Sequence, residues 1–388
     1  MKLLIVDNQP IRRGAQMFAQ HFKDYLNLNG HTCKRVFLYN TAGESSVLPI
    51  DENDILLDGR KSNPLEVFPS VQPKICRELA AAITEYSPDV VLLNGARAVK
   101  YGGITKWRYY RGEAPFVVRI IDSVAYWNTS KLRQWYSRNV ITPRIDGAVG
   151  VGKKALQDYR DLYAYRGPGT AIPRAFDFDG FRQTESKEQV RSRLGIKKDD
   201  KIVLFLGNIT RQKRPDRFLK VFSDVCGIVS GSKAWIVGDG VLREQTESMA
   251  SDLGVSDKVT FWGYQSDVEP FITASDVLFI SSDTEGVPGI ALEAQYLEKP
   301  VVTTDAGDVA MVVRHGISGF VCSKEDEEGL GNNIAELLKR PDLAAEMGRQ
   351  GKVYVTSNFN LADISDKYLS FFQLVIENRK NSLQTYDG

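Results

Sequence analysis

Short, mostly apolar runs recur along this chain, each followed by a turn or loop, most of them bearing glycine, and then by a segment of helical period. Residues 3–6, 33–38, 90–93, 116–121 and 146–151 form one series. The pattern starts afresh at 201–206 and continues through 234–237, 259–261, 277–280 and 301–303. A continuous apolar run such as 3–6 is buried on both faces, which is the condition of a central strand in a parallel sheet. Alternation with helical segments such as 15–29, 74–86 and 215–225 predicts parallel sheets covered by helices on both sides. A chain of 388 residues exceeds one ordinary hydrophobic core. Two halves that open alike, with strand, glycine loop and helix, therefore predict two similar nucleotide-binding-type α/β domains.

Composition narrows the class. Hydrophobic residues make up 43% and charged residues 26%, as in soluble globular proteins. A net charge of +1 excludes binding of polyanions through overall charge. Cys33, Cys76, Cys226 and Cys322 stand far apart without a CxxC pair, so reduced thiols are expected rather than a zinc site or disulfide framework. The first apolar run is too short for the core of a signal sequence. No stretch approaches the roughly 18 apolar residues of a membrane-spanning helix. A cytoplasmic location, or one at the cytoplasmic face of a membrane, is expected.

The most chemically loaded loop follows the run at 277–280. It begins with Ser281, Ser282, Asp283 and Thr284, residue types that cap helices. Glu285, Gly286, Val287, Pro288 and Gly289 come next, then an apolar helical segment carrying Ile290 and Glu293. A helix N-terminus presents unpaired N–H groups and a partial positive charge, which suits phosphate. The N–H groups of Val287, Gly289 and Ile290 are candidate sugar and phosphate contacts, whereas Pro288 has none to offer. Other strand ends carry Gly14, Gly207 with Asn208, Gly238 and Gly263 with Tyr264. Ligands in open α/β sheets bind beyond the carboxyl ends of strands, where these loops lie. The single glycine of Arg12-Arg13-Gly14 can meet a diphosphate. His31 and His315 sit in turns and are read as structural.

Several of these features together resemble family 4 of the retaining glycosyltransferases with the GT-B fold. They are the seven-residue spacing of Glu285 and Glu293, the 207–214 loop, the Trp262-Gly263-Tyr264 strand end, and Pro300-Val301-Val302 followed by Asp305-Ala306-Gly307. The resemblance implies an α/β, GT-B architecture of two Rossmann-like domains facing across a cleft. An acceptor-binding domain would span 1–172 and a donor-binding domain 173–355, with a last helical segment, 356–388, crossing back towards the first. It implies a nucleotide-diphosphate sugar as donor, with UDP or GDP as the nucleotide, and a glycan, lipid-linked glycan or small-molecule hydroxyl as acceptor. Neither metal nor other cofactor is implied, and nucleic acid is not an expected partner.

Residue by residue, Lys213 matches the family's lysine beside the departing diphosphate. Asn208 stands where the family carries an arginine, five residues earlier, leaving Arg211 or Arg214 to supply the second charge. Glu293 matches the ribose-binding glutamate, and Glu285 the one beside the donor sugar and phosphates. Many members have a histidine at the end of a central strand of the first domain; Asp122 stands there in this chain. Retaining chemistry on one face, with the leaving phosphate accepting the acceptor's proton, does not require a side-chain base. Two other readings remain: a GT-B nucleotide-sugar epimerase, and a non-catalytic nucleotide-sugar-binding protein.

Three stretches stand apart. Residues 40–70 are loop-rich, with Gly43, Pro49, Gly59, Pro64 and Pro69. Residues 171–191 read as an interdomain connection, in which Asp177-Phe178-Asp179 imitates a DxD metal motif but fits the family's linker pattern. Residues 97–166 hold 14 Lys and Arg against 5 Asp and Glu, so they carry +9 and the remainder −8. Trp107, Trp127 and Trp135 lie among these charges. Such a mixture fits an anionic or sugar-bearing acceptor or peripheral contact with anionic lipid, or else a solvated face over ordinary core aromatics.

Overall fold

The computed structural model describes residues 1–40, 47–60, 70–178, 180–181 and 183–384, with side chains through 381. Gly43, Pro64, Pro69 and Asp179 lie outside these residues. The chain divides into two units, Met1–Ala175 with Leu361–Gly388, and Phe176–Asn360.

The first unit runs β1 (Lys2–Asp7), α1 (Gly14–Leu28), β2 (Thr32–Tyr39), β3 (Ile55–Gly59), α2 (Pro73–Tyr86), β4 (Val90–Asn94), α3 (Ala96–Arg108), β5 (Phe116–Ile120), α4 (Val124–Trp127), α5 (Lys131–Tyr136), β6 (Gly147–Gly150), α6 (Lys153–Tyr163) and β7 (Gly169–Ala171). The strands form one parallel sheet in the order β3-β2-β1-β4-β5-β6-β7. Order reverses between β1 and β4, and Asn94 Nδ2 donates to Asp7 Oδ2 at 2.7 Å across that switch. Burial raises the pKa of Asp7, against the hydrogen bonds from Asn94, the Asn8 N–H and Gln16.

Two elements here differ from the sequence reading. Part of the loop-rich stretch is β3, which pairs with β2 through Val36↔Ile55 and Phe37↔Leu56. It is held from below by Asp54, which takes Lys23 Nζ at 3.0 Å and Arg35 Nε at 3.2 Å, both side chains fully buried. As an edge strand of alternating burial, β3 lacks the continuous apolar signature of its neighbours. β7, three residues long, is likewise too short to register as a run.

The second unit runs α7 (Lys187–Arg193), β8 (Lys201–Leu206), α8 (Pro215–Ile228), β9 (Ser232–Val237), α9 (Arg243–Asp252), β10 (Val259–Gly263), α10 (Glu269–Ala274), β11 (Val277–Ile280), α11 (Gly289–Tyr296), β12 (Val301–Thr304), β13 (Gly319–Cys322), α12 (Glu327–Lys339) and α13 (Pro341–Asn358). Its parallel sheet has the order β10-β9-β8-β11-β12-β13, so β8 and β11 flank the switch point. The expected interdomain connection contains α7. A Ser186–Gln189 capping box starts that helix, and Arg191 and Lys187 tie it to Asp276.

The chain then returns to the first unit as α14 (Leu361–Gln384). Ile364, Tyr368, Phe371, Phe372 and Val375 all pack into the first unit's core beside Phe18, Phe22 and Ile172. Arg119 joins the two segments, donating to Tyr368 Oη at 3.0 Å and Asn94 Oδ1 at 3.0 Å while its guanidinium lies over Phe18. The four cysteines are free. His31 Nδ1 lies 3.1 Å from the N-terminal nitrogen, and His315 Nδ1 lies 3.0 Å from the Val321 carbonyl. Among the described residues no helix is long and apolar enough to cross a membrane.

At the amino ends of the second sheet, Lys299, Lys187, Lys201 and Lys352 line a cavity of about 350 Å³. Burial, aided by the nearby Lys187 charge, lowers the Lys299 pKa from 10.5 to about 7. The unfolded chain keeps that proton up to pH of about 10.5. It therefore binds more protons than the folded chain between about 7 and 10.5, and stability should rise with pH across that window. We expect Lys299→Met to be more stable than wild type at pH 7 and to lose part of this rise. Urea unfolding of both proteins at pH 7 and 9 checks this; parallel pH dependences would refute it.

Candidate functional site

The carboxyl ends of β8 and β11 are adjacent in the second sheet, so the loops that follow them are forced together. The loop after β8 holds Gly207, Asn208 and the single 3-10 turn Arg211–Lys213. The loop after β11 holds residues 281–288 and ends at α11, whose N-cap is Pro288. Lys213 Nζ reaches Glu285 Oε1 at 2.6 Å, and Ser282 Oγ donates to the same oxygen at 2.5 Å. Glu285 is 7% exposed. Among the described residues its second oxygen takes no hydrogen bond, so an ammonium group and an open carboxylate acceptor stand side by side.

The loops are laced elsewhere. Asp283 N–H donates to the Gln212 carbonyl and Gln212 Nε2 to the Thr284 carbonyl, at 2.8 and 2.9 Å. Ser281 Oγ donates to the Lys213 carbonyl at 2.8 Å. Ser281 and Ser282 therefore do not cap α11, contrary to the sequence reading. They stand too far before Pro288, and α11 has no side-chain cap. Its first N–H groups, those of Gly289 and Ile290, have no carbonyl partner within the helix. Glu293, half-buried, is the fifth residue of α11, about 6 Å along the axis from its start.

Close backbone approach fixes the surrounding loops. Gly207 N–H donates to the Val237 carbonyl and Gly238 N–H to the Gly263 carbonyl, so the ends of β8, β9 and β10 are stitched together. A Cβ on Gly238 would lie 2.1 Å from the Gly207 carbonyl oxygen, and its φ of 132° also favours glycine. Gly307 plays the same part on the other side. Asp308 N–H donates to the Glu285 carbonyl, and a Cβ at Gly307 would lie 2.0 Å from that oxygen. Tyr264 is exposed beside Gly263, above the packed rings of Trp235, Trp262 and Phe271.

The cations divide. Arg214 does not stand ready for a phosphate: its guanidinium takes Asp216 at 2.8 Å and Asp283 at 3.0 Å, and its backbone is held at φ 51°. Arg211 is exposed and makes no ion pair among the described residues. Asn208 is exposed at the same strand end. Arg217, which sequence reasoning overlooked, is 4% exposed and donates to the Ser281 carbonyl at 2.6 Å and to Asp283 at 3.1 Å. Its place on the first turn of α8, directly under the 281–288 loop, was not visible as a motif. Ser282 and Gln212 were likewise missed as supports of Glu285 and its loop.

Gly14 and Asp122 belong to the first unit, and Asp177 to the second. Gly14 opens α1, with an Arg174 guanidinium nitrogen 3.0 Å from where its Cβ would be. Asp122 follows β5; one oxygen takes the Ser123 N–H at 2.7 Å and the other Trp127 Nε1 at 2.9 Å. Asp177 accepts from the Gly180 N–H at 3.0 Å in a turn. Among the described residues no group of three or more His, Cys, Asp or Glu side chains could hold a metal ion.

Comparison with known proteins points to the same half of the chain. Residues 186–354 match the family model of glycosyl transferases group 1. The chain is 27% identical over 193 residues to N-acetyl-alpha-D-glucosaminyl L-malate synthase of Bacillus anthracis, covering 50% of each. It is 32% identical over 169 residues to D-inositol 3-phosphate glycosyltransferase of Mycobacterium marinum, 42% of this chain and 35% of that one. These matches thus span about half the length of the curated relatives, or less. Among solved structures, HepE of Anabaena in complex with UDP superposes with a TM-score of 0.79 at 17% identity, over 96% of this chain and 100% of that one. WaaG, a glycosyltransferase involved in lipopolysaccharide biosynthesis, gives 0.72 at 16%, over 94% and 98%. At such identities the likeness concerns the fold, which is the two-unit Rossmann-like architecture of GT-B glycosyltransferases.

Arg217→Met should test the buttress. It keeps the buried stem but leaves the Ser281 carbonyl and Asp283 without their donor, at a cost of about 2 kcal/mol. Urea denaturation measures it, and an unchanged midpoint would mean the loop holds without Arg217.

Proposed function

We propose that this protein is a retaining glycosyltransferase that moves a sugar from a nucleotide diphosphate, UDP or GDP, to a hydroxyl group. The observation that carries the reading is the Lys213–Glu285 pair at the β8/β11 switch point, beside the open N-terminus of α11. The group 1 match over the same residues supports it, as does the presence of UDP in the HepE complex that shares the fold.

In this reading the diphosphate lies against the N–H groups of Val287, Gly289 and Ile290. Lys213 offsets the charge that grows on the departing phosphate. Arg211 supplies the second positive charge that Asn208 lacks, and Asn208 donates a neutral hydrogen bond. Glu293 accepts from the ribose hydroxyls. Glu285, fixed by Lys213 and Ser282, offers its second oxygen to the donor sugar. Gly238, Gly263 and Tyr264 border the nucleotide, and Gly14 is assigned to donor binding. Asp122, oriented by Trp127 and the Ser123 N–H, faces the acceptor. The bond from the anomeric carbon to the diphosphate breaks while the bond to the acceptor oxygen forms on the same face. The acceptor's proton passes to the departing phosphate oxygen, so no metal and no side-chain base is required. The acceptor is a glycan, a lipid-linked glycan or a small-molecule hydroxyl.

Thermal melts with UDP, GDP, ADP, dTDP and their sugars test the donor site, because a ligand of the folded state raises the melting point. One nucleotide should stabilise the protein, and Glu293→Ala should weaken its binding by about tenfold or more. Unchanged affinity by calorimetry would remove Glu293 from the site. Once an acceptor is in hand, Lys213→Ala should lower kcat by about a hundredfold or more. Chelator should leave turnover intact; full loss restored by Mn²⁺ would overturn the metal-free scheme. Donor turnover separates the alternatives: transfer to acceptor, epimer formed without acceptor, or binding alone.

A further inference from the structure

The basic, aromatic segment of the first unit is more sharply organised than its charge count conveys. Two of its 14 cations are internal. Arg119 is 2% exposed, and Lys106 is paired with Asp146, its pKa lowered to about 8 by burial despite that partner. Most of the remaining charge between 97 and 145 is on the surface, and the acids of that span are Glu113 and Asp122 alone. The large apolar side chains are on the surface too. Trp107 is 41% exposed, Leu132 60% and Trp135 59%. This overturns the reading of these tryptophans as ordinary core.

They form one surface. Arg108 and Arg144 lie over the Trp107 ring at 4.8 and 5.2 Å, and Arg111 reaches the Trp107 carbonyl. Arg144 Nη1 donates to the Asn139 carbonyl at 3.2 Å, and Asn139 Nδ2 to the Trp135 carbonyl at 2.7 Å. Leu132 and Trp135 are three residues apart on α5 and share a face, flanked by exposed Lys131, Arg133 and Arg138. We propose that this surface docks the first unit on an anionic lipid bilayer. Indole rings favour the interface between headgroups and acyl chains. Arginine and lysine answer the negative surface potential and keep their charges at headgroup level over apolar stems. Single-stranded nucleic acid is disfavoured, because base stacking needs a bare ring and two guanidinium groups already lie over Trp107. A protein interface is disfavoured by the density of lysine and arginine around the apolar side chains, since charged residues are depleted from interface cores.

The test is co-sedimentation of the full chain with vesicles of phosphatidylcholine alone and with one part in three of phosphatidylserine. Binding should require the anionic lipid and fall on raising salt from about 0.05 to about 0.5 M. Arg108→Glu with Arg111→Glu should weaken partitioning by at least about fivefold per residue, and Leu132→Ala with Trp135→Ala should weaken it at constant charge. Equal binding to both vesicles, no binding, or variants that bind as wild type would each overturn the proposal. So would tighter binding to an oligonucleotide or an acidic polypeptide than to the anionic vesicles. Melting curves of each variant with UDP and with GDP accompany the assay. A retained nucleotide shift with absent vesicle binding overturns only the docking surface; vesicle binding without any nucleotide shift overturns only the proposed transfer.

Discussion

Everything in the candidate site hangs on the pairing of β8 with β11. Parallel strands leave in the same direction, so their carboxyl ends deliver two loops to one place, and at a switch point the crossover helices leave that place uncovered. Val277 pairs with Val203 and Leu278 with Leu204. One residue beyond Leu206 in one case and one beyond Ile280 in the other, at Gly207 and Ser281, the backbone leaves the sheet. The Lys213–Glu285 contact is the consequence: residues 72 apart in sequence meet because the sheet permits little else. Gly238 and Gly307 then press neighbouring loops against Gly207 and Glu285 closely enough that any Cβ would collide.

The electrostatics of this junction follow from which charges are already satisfied. Arg217 and Arg214 are consumed by Asp283, Asp216 and backbone carbonyls, so they hold the loop's shape. Lys213 is shared with Glu285, and Arg211 has no ion-pair partner among the described residues. A departing diphosphate would therefore meet one cation on a tether and one in solvent, together with the dipole of α11. In the proposed scheme Asn208 brings no charge to the end of β8, where a fixed residue would act with the least loss of entropy. Arg211, on a 3-10 turn three residues later, must be ordered by the ligand itself. Ordering an exposed side chain on binding costs affinity.

How much of this was legible in the sequence depends on whether the signal was local. Central strands announce themselves because burial on both faces leaves no polar position, and β1, β4, β8 and β11 were each readable as runs. β3 was not, since an edge strand alternates and its stability comes from Asp54 meeting Lys23 and Arg35, contacts invisible along the chain. α7 carried its capping box in plain view, but Pro173, Gly180 and the linker pattern around Asp177 made the stretch read as a connection. Ser281 and Ser282 have the composition of caps and the position of struts. Arg119 and Lys106 counted as surface charge because a sequence shows a cation's sign and hides its depth. Lys213 and Glu285 were found through the resemblance to a family motif, whereas Arg217 and Gln212, which hold the same loop, form no pattern of their own.

The order of the chain imposes a further constraint. The first unit's core is lined by Phe18, Phe22 and Ile172 on one side and by Tyr368, Phe372 and Val375 of α14 on the other. Arg119 is separated from Tyr368 by 249 residues, yet its burial in β5 is tolerable only with that hydroxyl and Asn94 as acceptors. Until α14 arrives, Arg119 and the ring of Phe18 face water, and the whole second unit must be made before they can be covered. Contacts of such separation are slow to form because loop closure precedes any gain. The second unit has no such debt: its core, from Val203 to Met347, closes within its own segment. The unit that holds Lys213 and Glu285 is thus complete in itself, and the unit that carries Asp122 and the basic surface is finished last.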